Sequence, residues 1–266
     1  MSELLPLRIA LIGDGGISRS VRATIAALAE SILQVKAVLS RRATGDDVVT
    51  VTDLESLLAA SPDVVVECAS HEAVAAYGET ILRRGVPLVI VSAGALADGD
   101  LYYRLNMAAR AGRTRLIVAP GAVAGIDALA AARLGGVHRV SYRGLKPPTA
   151  WLGTPAEKLL DLTAVTTPTV FYRGNAREAA RAYPKNSNVA ATIAMAGVGF
   201  ERTEVELVAD PTVPHNVHEL SFDAVDGRFH TTSIGMPSPS NPKTSMLTAH
   251  SVVRILTAMR SPVVFG

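Results

Sequence analysis

Three groups of residues in this chain have types and spacing that could do chemistry. The first is the glycine turn Gly13-x-Gly15-x-x-Ser18, between an apolar run and an alanine-rich helical pattern. A first glycine permits a tight turn, and a second lets the backbone approach a pyrophosphate. The helix start that follows offers N–H groups and partial positive charge to an anion. Ser18 stands where this dinucleotide fingerprint usually has a third glycine, and it is small enough to keep helix and strand close. The second group is Ser40-Arg41-Arg42, at the end of the second apolar run. A site for NAD usually carries an acidic residue there. Guanidinium groups instead suit a 2′-phosphate, which favours NADP and leaves NAD open. The third group is spread over the later half. Lys146, Lys185 and Lys243 lie in non-repetitive stretches, and ammonium groups pair with carboxylates. Thr154 and Ser238 add hydroxyl donors. His218 has the side chain with a pKa nearest neutrality, and on a strand it shares a face with Asn216, while His215 and Glu219 share the other.

These residues need elements to hold them. Residues 7–12 read as a buried strand, and 17–30 as a helix with Val21, Ile25 and Leu28 at helical spacing. Strand and helix patterns then alternate: strands over 34–39, 64–68, 87–91 and 114–118, and helices from 52 to 60, 71 to 84 and 98 to 111. Thr52 with Glu55 reads as a capping box for the first of these helices. The alternation predicts a doubly wound parallel sheet, an N-terminal Rossmann dinucleotide-binding domain. After Pro120 the rhythm changes. A helix is expected over 123–135 and another over 188–197. Longer alternating strands are expected over 137–145, 167–173, 202–209, 217–225 and 228–234, and Asp226-Gly227 marks a hairpin. The expected fold is therefore α/β, with a second α+β mixed-sheet domain. The expected boundaries are 1–121 for the first domain and 122–244 for a substrate-binding, catalytic and dimerisation domain, with the closing helix 245–266 packing back on the first. Substrate is expected near the carboxyl ends of the parallel strands, between the domains.

Composition narrows the classes. Of 266 residues, 48% are hydrophobic and 19% charged, enough apolar material for a full core. The net charge of +2 gives no basic stripe for nucleic acid. The one cysteine, Cys68, allows neither an intrachain disulfide nor a cysteine-rich zinc site, and no metal is expected. Its place at the end of a strand reads as a small buried apolar residue rather than a nucleophile. No apolar run approaches membrane-spanning length and no leader is seen, so a soluble cytoplasmic protein is expected.

The pattern resembles the L-aspartate dehydrogenase family over essentially the whole chain. The resemblance is carried by the Gly13 turn, Glu67-Cys68-Ala69-Ser70-His71, and Gly121-Ala122-Val123-Ala124-Gly125-Ile126-Asp127. It is also carried by the stretches 146–157, 183–191, 210–219 and 241–245. It implies oxidation of L-aspartate to iminoaspartate with NAD or NADP. Hydrolysis to oxaloacetate and ammonia follows, or use of the imine for pyridine nucleotide synthesis. It implies a catalytic His218, cofactor contacts at Ala124 and Asn188, and a homodimer through the second-domain sheet. With the glycine turn, the expected cofactor set is Gly13, Gly15, Gly16, Ile17, Arg41, Ala69, Ala124 and Asn188. The expected substrate set is Asn216, Lys146 and Lys243. Asn188 also suits a helix N-cap. Two alternatives share the Gly13 turn. One is another two-domain oxidoreductase similar to dihydrodipicolinate reductase or homoserine dehydrogenase; the other is a non-catalytic dinucleotide-binding regulator.

Overall fold

The computed structural model describes residues 5–28, 32–41, 48–184, 186–238 and 241–265, with the side chains of 238 and 241–244 outside the description. Arg42 and Lys185 lie outside the described residues, as does the Lys243 side chain. The chain divides into two compact units, 1–119 with 248–266, and 120–247.

The first unit runs β1 (Leu7–Ile12), α1 (Gly16–Ala26), β2 (Leu33–Leu39), β3 (Thr50–Val51), α2 (Leu54–Ala59) and β4 (Val64–Glu67). It continues through α3 (His71–Arg83), β5 (Leu88–Ile90), α4 (Gly99–Ala111) and β6 (Leu116–Val118). All strands pair in parallel, in the order β3-β2-β1-β4-β5-β6. Parallel strands covered on both faces must be apolar throughout, and Val64, Val65 and Val66 are fully buried. The order reverses between β1 and β4, where a doubly wound sheet opens its ligand crevice. Asp53, rather than Thr52, caps α2, accepting from the Ser56 amide. Its carboxylate also accepts from the Ser56 hydroxyl, a second bond that fixes the cap at this position.

The second unit contains α5 (Ile126–Gly135), β7 (Val137–Lys146), β8 (Thr169–Asn175), α6 (Ala176–Ala182), α7 (Asn188–Ala196) and β9 (Thr203–Ala209). It closes with β10 (Val217–Ala224), β11 (Gly227–Ile234), β12 (Pro237–Ser238) and β13 (Asn241–Ser245). The last helix, α8 (Met246–Ala258), sends Ala249, Val252, Val253 and Leu256 into the first unit's core. The five-stranded sheet runs β11-β10-β7-β9-β8, with only β7 and β9 parallel. One face is buried: Val140, Tyr142, Leu207, Leu220 and Phe222 lie on it. The other carries a charged ladder, with Arg143 between Glu206 and Glu219 and Arg139 on Glu204, and at one end a buried cluster of Leu145, Val208 and Val217.

α5 starts three residues later than the sequence pattern suggests, because Gly125 takes a left-handed conformation at its N-cap. α6 is absent from the sequence reading. It is short and alanine-rich, but Asn175 and Glu178 form a capping box at its start.

Candidate active site

In the first unit the Gly13 turn and the loop after β4 meet. Gly13 has φ +95°, and a Cβ there would lie 2.8 Å from that of Ala69. Beside it, a Cβ on Gly15 would meet nothing within 4 Å. α1 begins at Gly16 and Ile17 with no side-chain cap and no acidic residue in its first turn. An open glycine at an uncapped helix start fits a dinucleotide pyrophosphate. Ser18 is fully buried, as the third-glycine position requires, and its hydroxyl has no hydrogen-bond partner among the described residues. Asp14, whose charge would oppose a phosphate, is paired with Arg19 and Arg22. Arg41 is exposed just beyond β2, whose Leu39 carbonyl accepts from the Gly13 amide at 2.8 Å.

Glu67 lies beside this turn, and the sequence reading does not mark it as a functional residue. It is fully buried, yet accepts from the Ala69 amide at 2.7 Å, the Ser92 amide at 3.1 Å and the Ser92 hydroxyl at 2.9 Å. Burial raises its pKa, while these donors oppose the shift. The carboxylate thereby ties the loop after β4 to the loop after β5. The only hint in sequence is an acid ending the apolar run Val64-Val65-Val66. Cys68 is buried and its thiol is pushed well above its ordinary pKa, first by burial and then by Glu67. A thiol held protonated in this way is a poor nucleophile.

The second unit carries a buried polar group. His218, 5% exposed, points to the covered face of β10. Its Nδ1 is 2.8 Å from the Tyr142 hydroxyl. Burial, then the Lys146 charge, lowers its pKa to about 3, so the ring is neutral at any working pH. Lys146 is 8% exposed, donates to the Asn186 Oδ1 at 2.7 Å and lies over the Trp151 ring, 4.9 Å from its centroid. Trp151 is fully buried and anchored by its own N–H on the Val208 carbonyl. A buried ammonium and a neutral imidazole on adjacent strands can hold a carboxylate and offer a hydrogen bond beside it.

Ala124 belongs to the same neighbourhood. Ser233, opposite His218 in the β10–β11 register, accepts from the Ala124 amide at 3.1 Å, and Thr231 donates to the Ala124 carbonyl at 3.2 Å. Strand β11 thus grips this peptide at both ends. Asn216 precedes β10, and its carbonyl accepts from the Gly235 amide at 2.9 Å. Asn188 is the first residue of α7 and not its cap. Ser187 takes the cap position, and its hydroxyl donates to the Ala179 carbonyl. Thr154 spends its hydroxyl locally, on the Trp151 carbonyl and the Ala156 amide. Tyr142 and Asn186 were not singled out as site residues from sequence. Among the described residues no cluster of His, Cys, Asp and Glu could hold a metal ion.

Comparison with known proteins covers both units. Residues 127–259 match the family described as aspartate dehydrogenase, C-terminal, and residues 13–119 match homoserine dehydrogenase, NAD binding domain. The chain is 44% identical to L-aspartate dehydrogenase of Cupriavidus necator over 261 residues, covering 94% of this chain and 96% of that protein. It is 45% identical to the Ruegeria pomeroyi L-aspartate dehydrogenase over 255 residues, 94% of this chain and 91% of that one. The crystal structure of aspartate dehydrogenase from Thermotoga maritima superposes with a TM-score of 0.81 at 29% identity, covering 98% and 99% of the two chains. These relatives are matched nearly end to end, and the chain belongs to the aspartate dehydrogenase family.

Proposed function

We propose that this protein is an NAD(P)-dependent L-aspartate dehydrogenase, oxidising L-aspartate to iminoaspartate, which hydrolyses to oxaloacetate and ammonia. The observation that carries the reading is the buried pair of Lys146 and neutral His218 on the covered sheet face. A nicotinamide dinucleotide, when bound, would supply the hydride acceptor. Gly13, Gly15, Gly16 and Ile17 form its pyrophosphate seat, with Arg41 reaching a 2′-phosphate. Ala69, Ala124 and Asn188 complete the cofactor contacts. Lys146, with Asn216 and Lys243, binds the substrate carboxylates. His218 is the catalytic residue, placed beside the reacting centre as a neutral imidazole.

Domain roles follow: 1–121 binds dinucleotide, with 245–266 packed on it, and 122–244 binds substrate. A homodimer through the second-unit sheet is part of the same reading, carried by the family resemblance. Among the described residues no helix is long and apolar enough to cross a membrane, and a cytoplasmic location is part of the same reading. The test is nicotinamide absorbance with purified protein, L-aspartate, and NAD or NADP, with D-aspartate, L-glutamate and L-homoserine as controls. Turnover of L-aspartate alone supports the reading. Dinucleotide binding with no aspartate turnover refutes it.

A further inference from the structure

The covered face of the second-unit sheet raises a question of where one proton sits. Residues 142, 144 and 146 of β7 share a face, and Gly144 lies opposite His218 in the antiparallel register. Tyr142 reaches along its own strand, across Gly144, to place its hydroxyl 2.8 Å from His218 Nδ1. Only glycine leaves that path open, since a Cβ on residue 144 would lie 2.7 Å from the phenol oxygen. The two rings are nearly parallel, at 19°, with centroids 6.0 Å apart. Lys146 faces the histidine from the same strand, and Ser233 stands opposite it on β11.

A bond between a hydroxyl and an imidazole nitrogen can run in either direction. If Nδ1–H donated, the phenol proton would need another acceptor. Tyr142 is 1% exposed, and among the described residues its hydroxyl has His218 as its partner. A buried O–H without an acceptor carries the full penalty of desolvation. We propose that Tyr142 donates to Nδ1 and so fixes neutral His218 as the Nε2–H tautomer, which makes Tyr142 a positioning residue for the reaction. The histidine then meets substrate as a hydrogen-bond donor and not as a resting base. Gly144 is the second part of the device, because it supplies the gap through which the phenol reaches. This inference rests on the reading of His218 as the catalytic residue of an aspartate dehydrogenase.

The test is the nitrogen NMR spectrum of the histidine rings in the ¹⁵N-labelled full chain, with His218 assigned by comparison with His218→Gln. The expected wild-type spectrum has Nδ1 bare and Nε2 protonated across the neutral range. In Tyr142→Phe the bare Nδ1 signal should give way to a mixture of tautomers, and Gly144→Ala should do the same with the phenol still present. In Tyr142→Phe, kcat for L-aspartate should fall roughly 10- to 100-fold, with the Kd for NADPH, read by its fluorescence, within about twofold of wild type. A wild-type Nδ1–H signal overturns the proposal, as does a Tyr142→Phe protein with unchanged tautomer or unchanged kcat. The tautomer is read without substrate, so its failure is distinct from a failure to turn over L-aspartate.

Discussion

Burying a histidine beside an ammonium has a cost that depends on pH, and the cost can be measured. The folded ring has a pKa of about 3, lowered first by burial and then by Lys146, against about 6.5 in an unfolded chain. Above pH 6.5 both states are neutral and the histidine contributes nothing to pH dependence. As pH falls below 6.5 the unfolded chain takes up a proton that the folded ring refuses, so stability is lost progressively until pH reaches the folded value. Each unit costs about 1.4 kcal/mol, which makes the loss at pH 5 about 2 kcal/mol. That figure needs only a folded pKa well below 5, so it is insensitive to the depth of the shift. His218→Gln removes the titration while leaving a side chain that can accept from Tyr142. The assay is urea unfolding at pH 7 and pH 5, followed by fluorescence of the sole tryptophan, Trp151, which is buried in the second unit. Wild type should lose about 2 kcal/mol more than His218→Gln between the two pH values. Equal losses would refute the claim that His218 is held neutral by its surroundings.

Three other outcomes follow from the same geometry. Lys146→Met keeps the packing on Trp151 but removes the ammonium, so the KM for L-aspartate should rise roughly 10- to 100-fold; an unchanged KM would remove Lys146 from the substrate site. In Glu67→Gln an amide N–H replaces one carboxylate oxygen and faces a backbone donor from Ala69 or Ser92, so NADPH should bind roughly tenfold more weakly in a fluorescence titration. Retained affinity would show that the two loops hold their shape without the carboxylate. Arg41→Ala should raise the KM for NADP about tenfold and leave that for NAD within twofold; equal changes for both cofactors would show that Arg41 meets no 2′-phosphate.

The two units differ in how plainly their sequences speak. Parallel strands buried on both faces must be apolar without interruption, so Val64–Val66 and Leu88–Ile90 can be read directly as strands. The glycine turn adds a local signature, because its function depends on neighbouring residues. Short elements are less legible. In α6 the run Ala176-Arg177-Glu178-Ala179-Ala180-Arg181-Ala182 buries a stripe made of alanine alone, Ala176, Ala179 and Ala180, so the Asn175–Glu178 capping box is the clearer signal. Cap positions also turn on single residues, as with Asp53 in place of Thr52 and Ser187 in place of Asn188. His218 and Lys146 can be picked out as reactive types. Their partners cannot, because Tyr142 is 76 residues from His218 and meets it only once β10 pairs with β7.

That pairing explains why a strand, and not a loop, carries this part of the site. A strand returns to the same face every second residue, so Tyr142, Gly144 and Lys146 deliver a phenol, a gap and an ammonium along one line. The antiparallel register then sets His218 against the gap. A shift of β7 by one residue would move its three groups to the opposite, charged face and away from His218. The charged ladder opposes such a shift, because Arg143 would then enter the covered face and lose Glu206 and Glu219. The ion pairs on the outer face and the proton arrangement on the inner face are therefore set by one register, and burying an unpaired guanidinium is the physical cost that holds it.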